Sequence, residues 1–297
     1  MTDYTKIKLI DIDIEHLFSL PCLEFETIYN EKTYVLSKKH VAKYHHCKIT
    51  IYDTGSVYFS GSIHKLYNSL NNIKAPNYKT SKTDKGYNGN QFKLVNILEV
   101  RTHLTELFNC QPHQMLFKNI EFGVNTEPTF CPNLFTKGLL THKGNKFEYR
   151  HKNNFAQSIK QHFIFKIYNK GNQYKMNTDT LRIELKYLKM AEVKKLGITT
   201  FADINKDTLN NAKEQLLKRF DTILYYDYTI NKKSLSNKQK QTLIKYSNPR
   251  YWIEDLKPNH RDREKKRLKK IINDYSENLH EQLKQEIIKK CTEINTL

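Results

Sequence analysis

The chain has 297 residues, with 50 Lys and Arg against 31 Asp and Glu and a formal charge of +19. Hydrophobic residues make up 38%, with 19 Tyr and 15 Phe, which excludes a disordered polyelectrolyte and predicts a folded chain of one large domain or two modest ones. No stretch approaches the roughly 20 apolar residues of a membrane span, the opening Met1-Thr2-Asp3-Tyr4 has no signal-peptide core, and Cys22, Cys47, Cys110, Cys131 and Cys291 form no CxxC pair; the expectation is a soluble protein of a reducing, bacterial cytoplasm with no membrane partner, disulfide framework or zinc ribbon.

Residues 46–60 alternate around Asp53-Thr54-Gly55 and predict a β-hairpin, followed by Gly61-Ser62-Ile63-His64-Lys65. Residues 74–91, rich in Asn, Lys, Gly and Tyr, predict a loop. Residues 92–108 carry Leu94, Ile97, Leu98, Leu104, Leu107 and Phe108 at helical spacing. Three later segments, residues 116–125, 158–170 and 180–188, read as strands, with loops and a hairpin expected over 126–157. Residues 207–226 predict an amphipathic helix capped by Asp207-Thr208. From Ser234 short helices are expected, broken at Ser247-Asn248-Pro249, with a dense basic run over 259–270 that is either a solvated helix face or a phosphate contact. There is no internal repeat. The expected division is a mixed unit over 1–230 and a basic helical region over 231–297.

A compact body of this charge repels itself, and a polyanionic partner relieves the repulsion. Cations with many aromatics suit single-stranded nucleic acid, where lysines track phosphates and rings stack on unpaired bases. The plainer explanation is a solubilising surface from a Lys- and Asn-rich, AT-biased genome.

Period-two alternation gives the three strands two faces. Ile120, Phe122 and Val124, then Phe163, Phe165 and Ile167, then Leu181, Ile183 and Leu185 form an oily face. Opposite them fall Glu121, Gly123 and Asn125, then His162, Lys166, Tyr168 and Lys170, then Arg182, Glu184 and Lys186. Many antiparallel sheets expose such a face to solvent. Gly123 beside Glu121, and a tyrosine between Lys166 and Lys170, point instead to a site. A DNA nickase needs a nucleophile that can hold the cut strand covalently, and tyrosine can. A phenol of ordinary pKa near 10 needs a neighbouring cation or base. Carboxylates with a histidine hold a divalent metal, and lysines stabilise charge on the phosphate oxygens. Glu121, Glu184 and His162 are the candidate ligands of Mg²⁺ or Mn²⁺; Tyr168, Lys166 and Lys170 are the candidate catalytic groups. Arg182 and Lys186 on the same face, His64 and Lys65 after the hairpin, and Arg261, Arg263 and Lys266 in the basic run are the expected nucleic-acid contacts. The His-hydrophobe-His triplet of the best-known nickases is absent, since His45 and His46 are adjacent. His64, His142 and His151 read as loop or surface residues, with His142 and His151 as weaker ligand candidates. Among rival tyrosines, Tyr187 belongs to the oily face, Tyr225 and Tyr226 end the amphipathic helix, and Tyr174 and Tyr228 remain open.

Ile167-Tyr168-Asn169-Lys170-Gly171 followed by Leu181-Arg182-Ile183-Glu184-Leu185-Lys186 resembles the "IYDKG … RxExK" signature of rolling-circle replication initiators, the filamentous-phage replication proteins and trans-acting plasmid initiators. Asn119-Ile120-Glu121-Phe122-Gly123-Val124-Asn125 falls where that family has "RIDxxxD", Gly61-Ser62-Ile63-His64-Lys65 where it has "GSLHK", and Lys195-Leu196-Gly197-Ile198 with Phe201-Ala202-Asp203 where it has "LGI … L.DL". The motifs span about residues 50–225. The family Arg is Asn119 here and its two Asp are Glu121 and Asn125, which leaves the ligand set open. The resemblance implies an α+β fold, an antiparallel sheet backed by helices in a nickase-like palm. It also implies a metal-dependent endonuclease that cuts one strand at an origin, single-stranded or hairpin, stays joined to the 5′ phosphate through Tyr168, leaves a 3′ hydroxyl for host replication enzymes and later rejoins the strand. A non-catalytic single-stranded nucleic-acid-binding protein, or a scaffold with a Lys-rich surface, would share the charge without the chemistry.

Overall fold

The computed structural model describes residues 2–28, 38–81 and 84–295. In chain order it runs through β1 (Thr2–Leu9), α1 (Ile14–Ser19), β2 (Phe25–Ile28), β3 (Lys39–Tyr44), β4 (Cys47–Tyr52), β5 (Val57–Ser62), α2 (Ile63–Leu70) and α3 (Leu94–Phe108). There follow β6 (Met115–Thr126), α4 (Pro132–Lys137), β7 (Leu139–His142), β8 (Asn145–Lys146), β9 (Glu148–Arg150), β10 (Phe155–Ile159), β11 (Phe163–Asn169), α5 (Lys170–Tyr174) and β12 (Leu181–Tyr187). The last part holds α6 (Met190–Lys194), α7 (Lys206–Phe220), β13 (Ile223–Tyr225), α8 (Asn237–Tyr246), α9 (Arg261–Tyr275) and α10 (Leu279–Ile294).

The fold is α+β. Ten strands form one sheet in the order β2-β3-β4-β5-β1-β6-β12-β11-β10-β9, and every adjacent pair is antiparallel. A small second sheet has the order β13-β7-β8. The predicted hairpin is β4–β5, turning at Gly55, whose φ of 74° no β-branched residue would adopt without strain.

The oily face is as alternation requires: Ile120, Phe122, Phe165, Ile183 and Leu185 are buried in one cluster with Leu104 and Phe108 of α3, Leu216 and Phe220 of α7, and Leu283 and Ile287 of α10. At about 1.5–3 kcal/mol for each large apolar side chain buried, this face dominates the stability of the sheet. A second cluster joins Leu140, Tyr226, Ile230, Leu243, Tyr246, Trp252, Leu268 and Ile271. The last helix, α10, returns to the first cluster. Asp227, fully buried, ties the two together: its carboxylate accepts from Thr229 and from the backbone N–H of Leu279 at the start of α10.

Three expectations are corrected, and one strand was not foreseen. Residues 158–170 are not one strand, because the chain reverses over Lys160-Gln161-His162 between β10 and β11. The helix expected to Tyr226 ends at Phe220, and the β-branched and aromatic run that follows becomes β13. Its cap is Asn205, whose side chain accepts from the N–H groups of Asp207 and Thr208. The N-terminal β1, unanticipated, lies in the middle of the sheet. The predicted loop over 74–91 is irregular apart from one short turn of 3₁₀ helix, with Lys82 and Thr83 outside the described residues. Among the described residues no helix is long and apolar enough to cross a membrane.

Candidate functional site

The strand register places the predicted polar residues side by side. Lys186 pairs with Glu121, Glu184 with Gly123, and Arg182 with Asn125 across β12 and β6; Lys166 pairs with Glu184 and Tyr168 with Arg182 across β11 and β12. Directly opposed residues of an antiparallel pair point to one side, so two glutamates and a phenol from three strands share a face. Gly123 permits the close approach, since a Cβ there would lie 2.5 Å from the Glu184 Cβ.

A third carboxylate joins them. Between Thr2↔Phe122 and Thr5↔Ile120, β1 takes three steps while β6 takes two. This is a β-bulge, and it frees Asp3 from strict alternation. Asp3, Glu121 and Glu184 each present an oxygen within 4.8 Å of the others, and all three are buried. Three hard oxygen donors so arranged could hold a divalent cation such as Mg²⁺ or Mn²⁺.

Their charge is met within the protein. The Lys166 ammonium lies 2.8 Å from Glu184 and 3.1 Å from Glu121. Arg182 lies 2.6 Å from Glu184 and 3.0 Å from Asp3, and Lys186 lies 3.1 Å from Glu121. The two glutamates are driven apart in acidity. Burial opposes ionisation of Glu184, but Lys166 and Arg182 override it and hold its carboxyl well below the usual range. Burial and the adjacent Glu184 charge push Glu121 up to about 7, despite Lys166 and Lys186.

Tyr168 donates from its hydroxyl to Glu184 Oε2 at 3.2 Å, while its ring packs on Phe155 with centroids 5.4 Å apart. Burial and the Glu184 charge keep the phenol well above its ordinary pKa. The expectation that flanking cations favour the phenolate is thereby reversed: burial and the Glu184 charge prevail, while Lys166 is committed to the carboxylates and Lys170 to Asn88. Lys170 begins α5 and is buried; its ammonium donates to Asn88 Oδ1 at 2.5 Å and lies 5.1 Å from the Tyr168 ring centre. Burial, with Arg182 second, lowers its pKa to about 7.

Residues 84–92 cover this corner. Asn88 donates to Asp3 at 2.7 Å and accepts from Tyr174 at 2.6 Å as well as from Lys170. Asn125 donates to the carbonyls of Asn88 and Asn90 and accepts from Arg182 at 3.0 Å. An aspartate could not donate those two bonds, so Asn125 serves as a tether between loop and Arg182. Asp3 also accepts from the Ser62 hydroxyl.

Several predicted roles change. His162 does not join the carboxylates: it sits exposed in the β10–β11 turn, at the sheet's end, with Nδ1 3.7 Å from Glu192. Asp3 takes its place. Arg182 is almost wholly buried and neutralises acids, leaving no donor face for phosphate. His64 is buried, stacked on Phe92 at 4.6 Å and bonded to Asn90; burial pushes its pKa down to about 3. His142 is likewise buried, in neither loop nor surface, while His151 is exposed in a turn. Lys65 donates to the Lys85 carbonyl. Arg261 donates to the carbonyls of Ile253 and Leu256, closing the turn before α9. Arg263 and Lys266 are exposed on α9, whose buried side is Glu264, Leu268, Ile271 and Ile272. Lys186 remains partly exposed, its ammonium 4.6 Å over the Tyr4 ring. Among the rivals, Tyr187 is core, Tyr225 lies in β13 stacked on Phe135, Tyr226 belongs to the second cluster, and Tyr174 is buried against Asn88.

No protein-family model matches the chain, and searches of curated proteins and of solved structures found no match.

Proposed function

We propose that the chain is a metal-dependent DNA-nicking and strand-joining enzyme of the rolling-circle initiator kind, with Tyr168 as nucleophile. The observation that carries this reading is the hydrogen bond from the Tyr168 hydroxyl to Glu184, one of three carboxylates that converge around it. Asp3, Glu121 and Glu184 would hold Mg²⁺ or Mn²⁺, which would supply polarisation of the scissile phosphate.

The chain's own groups do the rest. Glu184, held ionised by Lys166 and Arg182, accepts the phenolic hydrogen bond and orients the tyrosine oxygen toward phosphorus, and neutral Lys170 beside the ring takes the proton as that oxygen bonds to phosphorus. The bond from phosphorus to the 3′ oxygen breaks, and that oxygen takes the proton back from the Lys170 ammonium and leaves as a 3′ hydroxyl. Lys170, next to the ring and with its pKa brought down to about 7, can give up and take back a proton at neutral pH. The phosphotyrosine keeps the energy of the broken bond, so the reverse attack rejoins ends. Burial and the Glu184 charge keep the phenol protonated at rest, and a divalent cation held by the carboxylates would favour its ionised form.

Incubation with single-stranded DNA and Mn²⁺ should give an adduct that survives denaturing electrophoresis, absent from Tyr168→Phe while that variant binds DNA normally. Adducts formed by the Phe variant would assign another nucleophile. One observation favours a binding-only protein: all three carboxylates already have cationic partners. A complete absence of adduct across a broad DNA pool would favour that alternative.

A further inference from the structure

The polar face continues well beyond the carboxylates. Tyr4, Lys6 and Lys8 of β1 alternate onto it, facing Ser62, Ser60 and Tyr58 of β5. Tyr58 faces Thr50 on β4, with Tyr52 two residues further along that strand. Tyr4, Lys6, Lys8 and Tyr58 are partly exposed, and Tyr52 and Lys48 are exposed. These side chains make two groups of contacts. The Tyr52 and Tyr58 rings lie 5.7 Å apart, Lys6 sits 4.8 Å over Tyr58, and Lys186 sits 4.6 Å over Tyr4 before meeting Glu121. On the far side of the acids, Tyr168 packs on Phe155.

We infer that this lane, from Tyr52 through Tyr58 and Tyr4 to Tyr168 and Phe155, binds single-stranded DNA across the strands and delivers it to the carboxylates. The assignment of DNA, and of the direction toward Tyr168, rests on the nicking reading above; the single-strand chemistry does not. Partly exposed aromatic rings in a row offer stacking surface to bases once the lysines lying over Tyr58 and Tyr4 turn to phosphates, for which they supply the counter-charge. Six strand-to-strand steps of about 4.8 Å give a lane of roughly 29 Å, long enough for up to about eight stacked nucleotides at about 3.4 Å each. A duplex would offer its backbone to the lane but keep its bases from the rings.

The test uses the full chain in a Tyr168→Phe background, with a fluorescein-labelled 20-mer read by anisotropy at fixed salt. Tyr4→Ala and Tyr58→Ala should each weaken single-strand binding roughly 5- to 150-fold, the range for loss of one stacked base. Tyr58→Phe should bind as the parent does, and the duplex of the same sequence should bind weakly and alike to all. Should an Ala variant melt early, the exposed Tyr52→Ala and the Lys6→Gln variants make the same comparison. Unchanged single-strand affinity in folded variants, or a duplex bound as tightly as the single strand, would overturn the inference, as would tighter binding of the matching RNA. If stacking dependence is found but the Tyr168 protein forms no adduct, the nickase reading fails and the lane stands.

Discussion

Replacing Lys166 by Met keeps an apolar stem of similar length in the sheet and removes one cation from between Glu121 and Glu184. Its ammonium is 2.8 and 3.1 Å from the two carboxylates, and its partners' side chains are 2% and 7% exposed. With it gone, three buried acids would face only Arg182 and Lys186. Breaking a buried ion pair from one side costs about 3–5 kcal/mol, which for a chain of this size lowers Tm by roughly 5–8 °C. Proton uptake by Glu121, already pushed to about 7, softens the loss at neutral pH. A divalent cation offers the missing charge, and at a hundred times its Kd it restores about 2.7 kcal/mol. Thermal melts followed by circular dichroism, in EDTA and in Mn²⁺, should therefore show a destabilised Lys166→Met chain that Mn²⁺ raises more than it raises the parent, where the ion must displace the lysine. Adding Glu121→Gln to the variant should remove the Mn²⁺ response. Equal Mn²⁺ shifts in parent and variant, or none in either, would refute the idea that these carboxylates form a cation seat.

Two further outcomes follow from the same interior. His142 is fully buried among Phe147, Phe163 and Phe165, and burial followed by the Lys160 charge lowers its pKa to about 4. The unfolded chain, with an ordinary histidine near 6.5, therefore binds the proton more readily. Stability from this group is full above that value and falls as pH drops toward 4, by up to about 3 kcal/mol. His142→Leu should narrow the difference in urea midpoint between pH 7 and pH 5, and an unchanged difference would exclude His142 as its source. Gly123→Ala would set a Cβ 2.8 Å from the Ile183 carbonyl oxygen, forcing β6 from β12 at a cost of about 1–3 kcal/mol; its Tm should fall and its Mn²⁺ response weaken, and retention of both would show that the close approach is not needed.

Alternation in sequence reports which side of a sheet a residue takes, and for β6, β11 and β12 it did so correctly for every core residue and for Glu121, Lys166, Tyr168, Arg182 and Glu184. It carries no information about what lies above that side. Arg182 reads as a nucleic-acid contact and Lys170 as a catalytic lysine because both are cations on the face that carries Tyr168. Residues 84–92 seal them in, and a loop rich in Asn and Gly gives no periodic signal of where it will lie. Asp3 was hidden for a different reason: period two assigns it to the side of Thr5 and Ile7, and only the bulge against β6 turns it to the acids. His162 was misassigned because a turn of three residues inside an apolar run leaves alternation apparently intact. The misses at Arg182, Lys170 and Asp3 share a physical origin in long-range contacts between segments distant in sequence. Their consequence is a polar face of two kinds: a sealed corner where opposite charges meet at low exposure and interact strongly, and an open aromatic lane where charge is screened and rings remain partly accessible. The Tyr168 phenol sits at the junction of the two, its hydroxyl on Glu184 and its ring on Phe155; the first keeps it protonated, and under the nicking reading proposed above the second would offer it a strand.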